Sequence, residues 1–379
     1  MRVVIFSADI GEGHDLPARA LRDGILQRRP DADVLILDTL ACAGPVARFV
    51  VRSGAELVLG RLPWLFDLQY WLIARFPPTR ALMRRLSMLT SGGGLRRAVA
   101  AQRADVVVCT YPGANEILST ARLAGRVSVP VVSAITDLAG LMYWAHPGTD
   151  LHLVIHPESA AEIRDIAGVD ARVEYVRGLT SPEFERPGDG AAARAWLDLP
   201  PSAPVVVVSG GGWGVGDLRG AVRGALAAGP DVEVLALCGR NEAVRSALEG
   251  AFAHVPRVRV MGFTDRMGDV LAAADVLVHS TAGLTVMEAL VRGVRVISYG
   301  WGVGHLRLNN QAYRRFGMAE VVDGPTTLTA TIQRALASPR EPDAAYGELP
   351  TAAELVLALT DEALSAQAAA ASASGIAGA

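Results

Sequence analysis

Ala282-Gly283-Leu284-Thr285-Val286-Met287-Glu288-Ala289 lies between two short apolar runs, Asp275-Val276-Leu277-Val278-His279 before it and Val294-Arg295-Val296-Ile297 after it. Both runs have the near-continuous apolar character of strands buried on both faces of a parallel sheet. The small residues at 282–283 mark a turn, and Arg292-Gly293 is the stop of a short helix. Strand, turn, helix, glycine and strand in that order make a βαβ unit. Its helix N-terminus turns free amides towards any bound anion. Glu288, one turn inside that helix, is within reach of the hydroxyls of a ribose whose phosphates the turn holds. The same residues also fit a capping box, in which Thr285 and Glu288 satisfy the helix's first amides. On this segment alone both readings stand.

Outward from that unit, apolar runs alternate with amphipathic stretches, the pattern of doubly wound α/β domains. Strands are predicted at Val3–Ser7, Val34–Leu37, Val106–Cys109, Val131–Ile135 and Leu151–Ile155. A second series follows at Val205–Ser209, Val232–Cys238, Val258–Met261, Val276–His279 and Val294–Ser298. Between the two, Arg177 to Gly190 is rich in proline, glycine and charge and reads as a linker. The expected organisation is a Rossmann-like domain over 1–178, a linker over 179–199 and a second Rossmann-like domain over 200–340. A C-terminal helix over 341–365 and a disordered Ala/Ser/Gly-rich tail over 366–379 complete it.

The 379 residues suffice for two full cores. An apolar content of 51% with a net charge of −3 describes a globular chain, and no apolar run is long enough to span a bilayer. The chain enters a strand at Arg2 without a signal-peptide pattern, so a cytoplasmic protein is expected. Cys42, Cys109 and Cys238 are widely spaced in apolar settings, which argues against a disulfide framework or a zinc site; no metal is expected. Every basic residue is arginine. Nine of them fall between 45 and 97, against Glu56 and Asp67, interleaved with Trp64, Phe66, Tyr70, Trp71 and Phe76. Arginines mixed with aromatics suit an anionic membrane surface. An amphipathic insertion packed on its own domain fits the segment as well. The acidic balance of the whole speaks against nucleic acid.

Open α/β sheets hold their ligands in the loops after strands. The first such loop, Ser7 to Ala18, carries Gly11 and Gly13 like a dinucleotide fingerprint, but Leu16 stands where the third glycine belongs. Asp38, ending the second strand, is where a dehydrogenase would place its ribose-binding acid. His14 opens the following helix; there the helix dipole keeps an imidazole neutral and able to accept a proton, which makes it the candidate general base. The second loop, Ser209-Gly210-Gly211-Gly212-Trp213-Gly214-Val215-Gly216-Asp217, brings bare backbone amides together as phosphate oxygens require. No Gly-Lys-Ser/Thr follows, so it is not a P-loop. The third, Gly262 to Met267, offers backbone groups at Phe263 and Thr264 for a base, with Phe263 and Met267 as apolar walls.

Together these loops resemble the GT-B glycosyltransferases, and within them the monogalactosyldiacylglycerol synthase-like group and the lipid II N-acetylglucosaminyltransferase, of glycosyltransferase family 28 type. Gly13-His14-Asp15-Leu16-Pro17-Ala18 resembles that group's first turn, and Thr136-Asp137 with His146-Pro147-Gly148-Thr149-Asp150 its next two segments. The loop Gly210–Gly216, the stretch Cys238–Asn241, the stretch Gly262–Met267 and the stretch Gly283–Ala289 follow in the family's order. The resemblance implies an α/β fold of two doubly wound domains facing across a cleft, and an inverting transfer of sugar from a UDP-sugar to an acceptor hydroxyl. Its only co-substrate is the UDP-sugar; it needs neither cofactor nor metal. His14 would be the catalytic base, with Gly13, Thr136, Asp137 and His146 on the acceptor side. Gly212, Gly214 and Gly216 would approach the diphosphate, Phe263, Thr264 and Met267 would frame uracil, and Glu288 would hold the ribose. Arg240 would sit near the donor, and Gly211, Gly283, Leu284 and Thr285 would be donor-binding as well. The acceptor implied is a diacylglycerol-type or other lipid, met at the inner membrane face through 45–97.

Two departures are visible. Glu12 replaces a glycine before Gly13-His14, and the family's sugar-contacting Gly-Gln-Glu/Gln-x-x-Asn reads Gly304-His305-Leu306-Arg307-Leu308-Asn309. His305 and Asn309 therefore stand where the donor sugar would be met, and the sugar's identity stays open. A sugar-nucleotide epimerase, a secondary-metabolite glycosyltransferase and a non-catalytic nucleotide- or lipid-binding homologue remain alternatives on the same fold.

Overall fold

A parallel strand buried on both faces needs an apolar residue at every position, and the chain supplies such runs at both sheet centres. Val3–Phe6 and Val205–Val208 are each 0% exposed. Each such side chain contributes roughly 1.5–3 kcal/mol on burial. In the computed structural model the described residues are 1–9, 12–45, 48, 68, 72, 76–185, 188–280, 283–300, 305–338 and 346–376. Most of the arginine-aromatic stretch 45–75, and residues 281–282 and 301–304, lie outside them.

The first sheet comprises β1 (Arg2–Ser7), β2 (Asp33–Asp38), β3 (Val106–Cys109), β4 (Val131–Ile135), β5 (Leu151–Val154) and β6 (Val173–Tyr175). Its order is β2-β1-β3-β4-β5-β6, parallel throughout, with Phe6 opposite Leu37 on one side and Cys109 on the other. The second comprises β7 (Val205–Ser209), β8 (Glu233–Leu237), β9 (Val258–Met261), β10 (Val276–His279), β11 (Arg295–Tyr299) and β12 (Glu320–Val322). Its order is β12-β11-β10-β7-β8-β9. Helices flank both sheets, so each half is a doubly wound Rossmann-like unit and the fold is of GT-B type. The short edge strands β6 and β12 were not expected from sequence: three half-buried or alternating residues give too little apolar run to register.

The chain divides into two units, Met1–Thr180 with Leu349–Ala379, and Ser181–Glu348. The expected linker 179–199 is therefore largely part of the second unit. It carries a helix, Gly190–Trp196, capped by the Asp189 side chain and packed on the helix Met267–Ala273. The C-terminal helix spans Ala352–Ile376, not 341–365, and belongs to the first unit. The tail expected to be disordered from 366 is helical as far as Ile376, because its alanines are the best helix formers. No helix among the described residues is long and apolar enough to cross a membrane.

In each sheet the strand order reverses direction once, between β1 and β3 and between β7 and β10. Loops leaving the carboxyl ends of those pairs diverge to opposite faces and open a crevice. The loop after β1 leaves the first switch point and the glycine loop after β7 the second; Gly262–Met267 follows the edge strand β9, two strands further out.

Candidate active site

In the first unit the helix Glu12–Arg28 starts directly after β1, and His14 lies in its first turn. His14 Nδ1 is 2.8 Å from the Thr110 carbonyl oxygen, which follows β3. A carbonyl only accepts, so Nδ1 carries the hydrogen and Nε2 of the neutral ring keeps its lone pair. The ring is held edge-on to Tyr111, centroids 5.2 Å apart, and lies 6.0 Å from Trp144. Thr110 is fixed in turn by donating its N–H to Phe6 at 3.0 Å. Below His14, Ser7 Oγ donates to Asp15, and Thr39 Oγ1 donates to the Ser7 carbonyl at 2.6 Å. Asp38 accepts the Leu40 N–H at 2.9 Å and so caps the helix Thr39–Ala43; that replaces the ribose-binding role considered for it. Gly13 is exposed, with nothing within 4 Å of where its Cβ would stand.

The other first-unit candidates divide. Asp137 accepts from Trp144 Nε1 at 2.9 Å, which ties it to the indole beside His14. Thr136 is buried and its backbone bonds the ring of His156, whose pKa burial pushes down to about 4. His146 is also buried. Its Nδ1 accepts the Gly148 N–H at 2.9 Å, so Nε2 bears the hydrogen and pairs with Thr120 Oγ1 at 3.1 Å. Both nitrogens are thus engaged in fastening the His146–Thr149 turn, and its pKa falls to about 4, chiefly through burial. Beside Tyr111 opens a cavity of about 270 Å³ lined by Leu40, Met83, Ile117, Met142 and Tyr143, with the Arg84–Glu116 ion pair in its wall.

In the second unit the glycine loop is interlocked with the turn after β8. Gly214 is left-handed, with φ of 60°, and a Cβ there would stand 2.6 Å from the Cys238 carbonyl oxygen. The Arg240 N–H donates to the Gly212 carbonyl at 2.8 Å, and Asn241 Nδ2 to the Trp213 carbonyl at 3.2 Å. Gly211 and Gly216, with φ of 67° and 100°, carry the chain round the rest of the loop. The Arg240 guanidinium lies 3.9 Å over the Phe263 ring, so one face of the expected base wall is already covered by a cation. The other candidates there, Thr264 and Met267, begin the next helix: Thr264 Oγ1 accepts the Arg266 N–H at 3.1 Å, and Met267 is its first residue.

The opening segment folds as the helix Leu284–Val291 with Gly283, φ 131°, as its N-cap. No side chain caps it, and Thr285 is its second residue, so the capping-box reading is set aside. Glu288 is 3% exposed and accepts the backbone N–H of Ser181. Burial, and then the neighbouring charge of Glu183, push its pKa up to about 8. Asn309 is buried in the helix His305–Phe316; the side chain of His305 lies outside the described residues.

Sequence reasoning missed Thr110 and Tyr111 at His14, and Ser181 and Glu183 at Glu288. The first pair had a signal, since the loop after β3 borders the same switch point as the loop after β1. The second pair had none, because only the folded chain brings residue 181 to residue 288.

Residues 14–180 match the family model of monogalactosyldiacylglycerol (MGDG) synthase, and residues 205–358 that of the glycosyltransferase family 28 C-terminal domain. A processive diacylglycerol beta-glucosyltransferase of Staphylococcus carnosus is 23% identical over 228 residues, 59% of this chain and 56% of that protein. The Staphylococcus aureus protein of the same name is 22% identical over 229 residues, 59% of this chain and 57% of its own. The chain thus spans a little over half the length of these relatives. Among solved structures, Acinetobacter baumannii MurG is similar with a TM-score of 0.58 at 17% identity, covering 95% of this chain and 99% of that one. The Streptomyces sp. SF2575 glycosyltransferase SsfS6 gives 0.59 at 16%, with the same coverage. At these identities the structures establish the fold.

Proposed function

For a chain that belongs to the GT-B glycosyltransferases with an MGDG-synthase-type first domain and a family 28 C-terminal domain, we propose an inverting transfer of a sugar from a UDP-sugar to a lipid hydroxyl. The observation that carries it is His14, held at a switch point with Nδ1 donating to the Thr110 carbonyl, the tautomer in which Nε2 is the basic nitrogen. Nε2 takes the acceptor's proton as its oxygen bonds to the anomeric carbon. The bond from that carbon to the diphosphate breaks, and the electron pair leaves with UDP. Loop amides of Gly211–Gly216 stabilise the departing charge. Glu288 receives the ribose hydroxyls, the base lies along Phe263, and Arg240 reaches the phosphates from its place over that ring. A ribose must share the Glu288 carboxyl with the Ser181 N–H, which occupies only part of its accepting capacity.

The lipid acceptor is supported by two features of the first unit. The apolar cavity beside Tyr111 adjoins the residue that orients His14. Its wall helix, Pro77–Thr90, turns Leu82, Leu86 and Leu89 outwards, 56%, 46% and 80% exposed, with Arg85 exposed alongside. An apolar stripe edged by arginine is the surface a peripheral protein lays on an anionic bilayer. Diacylglycerol, named in the staphylococcal relatives, is the acceptor class that fits both.

The test is donor binding by calorimetry across UDP-, GDP- and TDP-sugars, then turnover on diacylglycerol vesicles for wild type and His14→Ala. Turnover by the variant should fall about 10²–10⁴-fold, the span of a lost general base, with donor affinity nearly unchanged. Unaltered turnover in His14→Ala would remove the base assignment, and donor hydrolysis with no acceptor product would favour another reaction.

A further inference from the structure

Two serines stand where the strands of the second switch point end, and among the described residues only one has its hydroxyl engaged. Ser209 closes β7 opposite His279 of β10. Its Oγ accepts the Gly211 N–H at 3.2 Å and so shapes the glycine loop, while its carbonyl accepts the Ser280 N–H at 3.2 Å. That second bond fixes Ser280, the residue after β10, against the loop. A Cβ on Gly216, whose φ is 100°, would stand 2.6 Å from Ser280 Oγ, so the serine side chain occupies the face that this glycine leaves bare. Yet Ser280 Oγ is shielded from solvent and bonds to no described residue. Its O–H and its lone pairs are both unspent. Buried hydroxyls are ordinarily paired, because an unpaired one keeps the full cost of its desolvation. Alanine would pack in the same place without that cost.

The two helices that start at this switch point differ in how they begin. The helix Leu218–Ala227, entered through Gly216, is closed by its own acid: Asp217 accepts the Gly220 N–H at 2.8 Å and the Tyr299 hydroxyl at 3.2 Å. A carboxylate already stands at that N-terminus and repels a second anion. The helix Leu284–Val291, reached from Ser280, has Gly283 as its N-cap and no side-chain cap, so its dipole meets no acid of its own. An anion at the switch point is therefore drawn to the side of Ser280. We propose that Ser280 is a diphosphate-binding residue, whose O–H donates to a phosphate oxygen of the nucleotide-sugar between Gly216 and the start of Leu284–Val291. The inference rests on the glycine loop receiving the diphosphate, and it adds a side-chain donor to the loop's amides. A phosphate oxygen accepts without donating and carries charge, which makes its bond to a hydroxyl one of the stronger kind. As the bond to the anomeric carbon breaks, charge grows on the diphosphate and this contact tightens.

The experiment is calorimetric titration of the full chain with UDP, wild type beside Ser280→Ala, with uridine measured by its displacement of UDP. Loss of one charge-assisted bond should weaken UDP about tenfold to a hundredfold and leave uridine, which has no phosphate, within about twofold. The melting temperature without ligand should stay level or rise, since the variant sheds an unpaired buried hydroxyl. Equal weakening of UDP and uridine, or weaker UDP binding together with a lower melting temperature, marks a serine that only supports the loop and overturns the assignment. UDP bound equally by both proteins overturns it as well and leaves the donor site standing. If wild type binds neither UDP nor uridine, the donor reading and this inference fall together. Where uridine displaces UDP from neither protein, UDP affinity and melting temperature decide.

Discussion

At Glu288 the folded chain holds a proton up to about pH 8, whereas the ordinary value for the side chain is 4.5. Between those values the native state binds a proton that the unfolded state has lost, so stability falls as pH rises through the interval. The slope is on the order of 1 kcal/mol per pH unit at most, and the full loss is reached above about pH 8. Glu288→Gln removes the titrating group while keeping an acceptor for Ser181. Urea unfolding at about pH 5.5 and 8.5 should show a marked loss for wild type and a smaller one for the variant, which becomes the more stable protein at the higher pH. Equal pH dependence in both would place the titrating group elsewhere. This behaviour was not legible in Thr285-Val286-Met287-Glu288, whose spacing fits a capping box as well as a ribose site. The capping-box reading falls because Gly283 takes the N-cap position, and the buried setting of Glu288 beside Ser181 comes from a segment about a hundred residues upstream. The setting of His14 was more legible, because it depends on the helix start beside it, although the carbonyl that fixes its tautomer was not.

Elements were read from sequence as far as their own residues determine them. Central strands such as β3, β4, β7 and β10 came out with the bounds that the structure gives, since both of their faces are buried and all their residues but Ser133, Ser209 and His279 are apolar. Edge strands β6 and β12 did not, since their pairing depends on a neighbour more than on their composition. The glycine loop shows the same division. A phosphate-binding role is an inference from its bare amides, whereas its conformation is imposed by the turn after β8, which leaves no room at Gly214. Gly214→Ala must carry a left-handed residue and push a Cβ against the Cys238 carbonyl, at a cost of about 2–4 kcal/mol. Denaturant midpoints should fall accordingly, and UDP-glucose affinity should drop more than about tenfold as the loop shifts. A destabilised variant that binds UDP-glucose normally would show that this loop does not hold the diphosphate.

At the scale of the molecule, the chain leaves its first unit at Thr180 and returns to it at Leu349. Nothing in the composition of the last thirty residues announces that return, because alanine-rich sequence reads alike as tail or as docked helix. The folded chain settles it through contacts. Arg177 N–H donates to the Pro350 carbonyl at 3.1 Å, and Ala352 N–H to the Arg177 carbonyl at 2.8 Å. Ala352, Ala353, Val356 and Leu357 are buried, and Ala353 Cβ lies 3.3 Å from where a Cβ on Gly24 would stand. The partner is the helix Glu12–Arg28, the one that begins at His14's turn. The pairs Arg28–Glu354 and Arg29–Asp361 lie on its exposed rim and contribute little to stability. Docking therefore rests on small apolar side chains close to the helix axis, which ties the His14 helix to a segment far away in sequence. Removing 349–379 should uncover that face, speed amide exchange in β1 and in Glu12–Arg28, and abolish sugar transfer while UDP-glucose binding in the second unit survives. Removing 366–379 alone takes away residues of which 366–370 and Ser372 are exposed, and should leave the unfolding free energy within about 0.5 kcal/mol of the full chain. If the longer truncation leaves exchange in the His14 helix unchanged, that helix is held by its own sheet, and the C-terminal helix has no part in shaping the base.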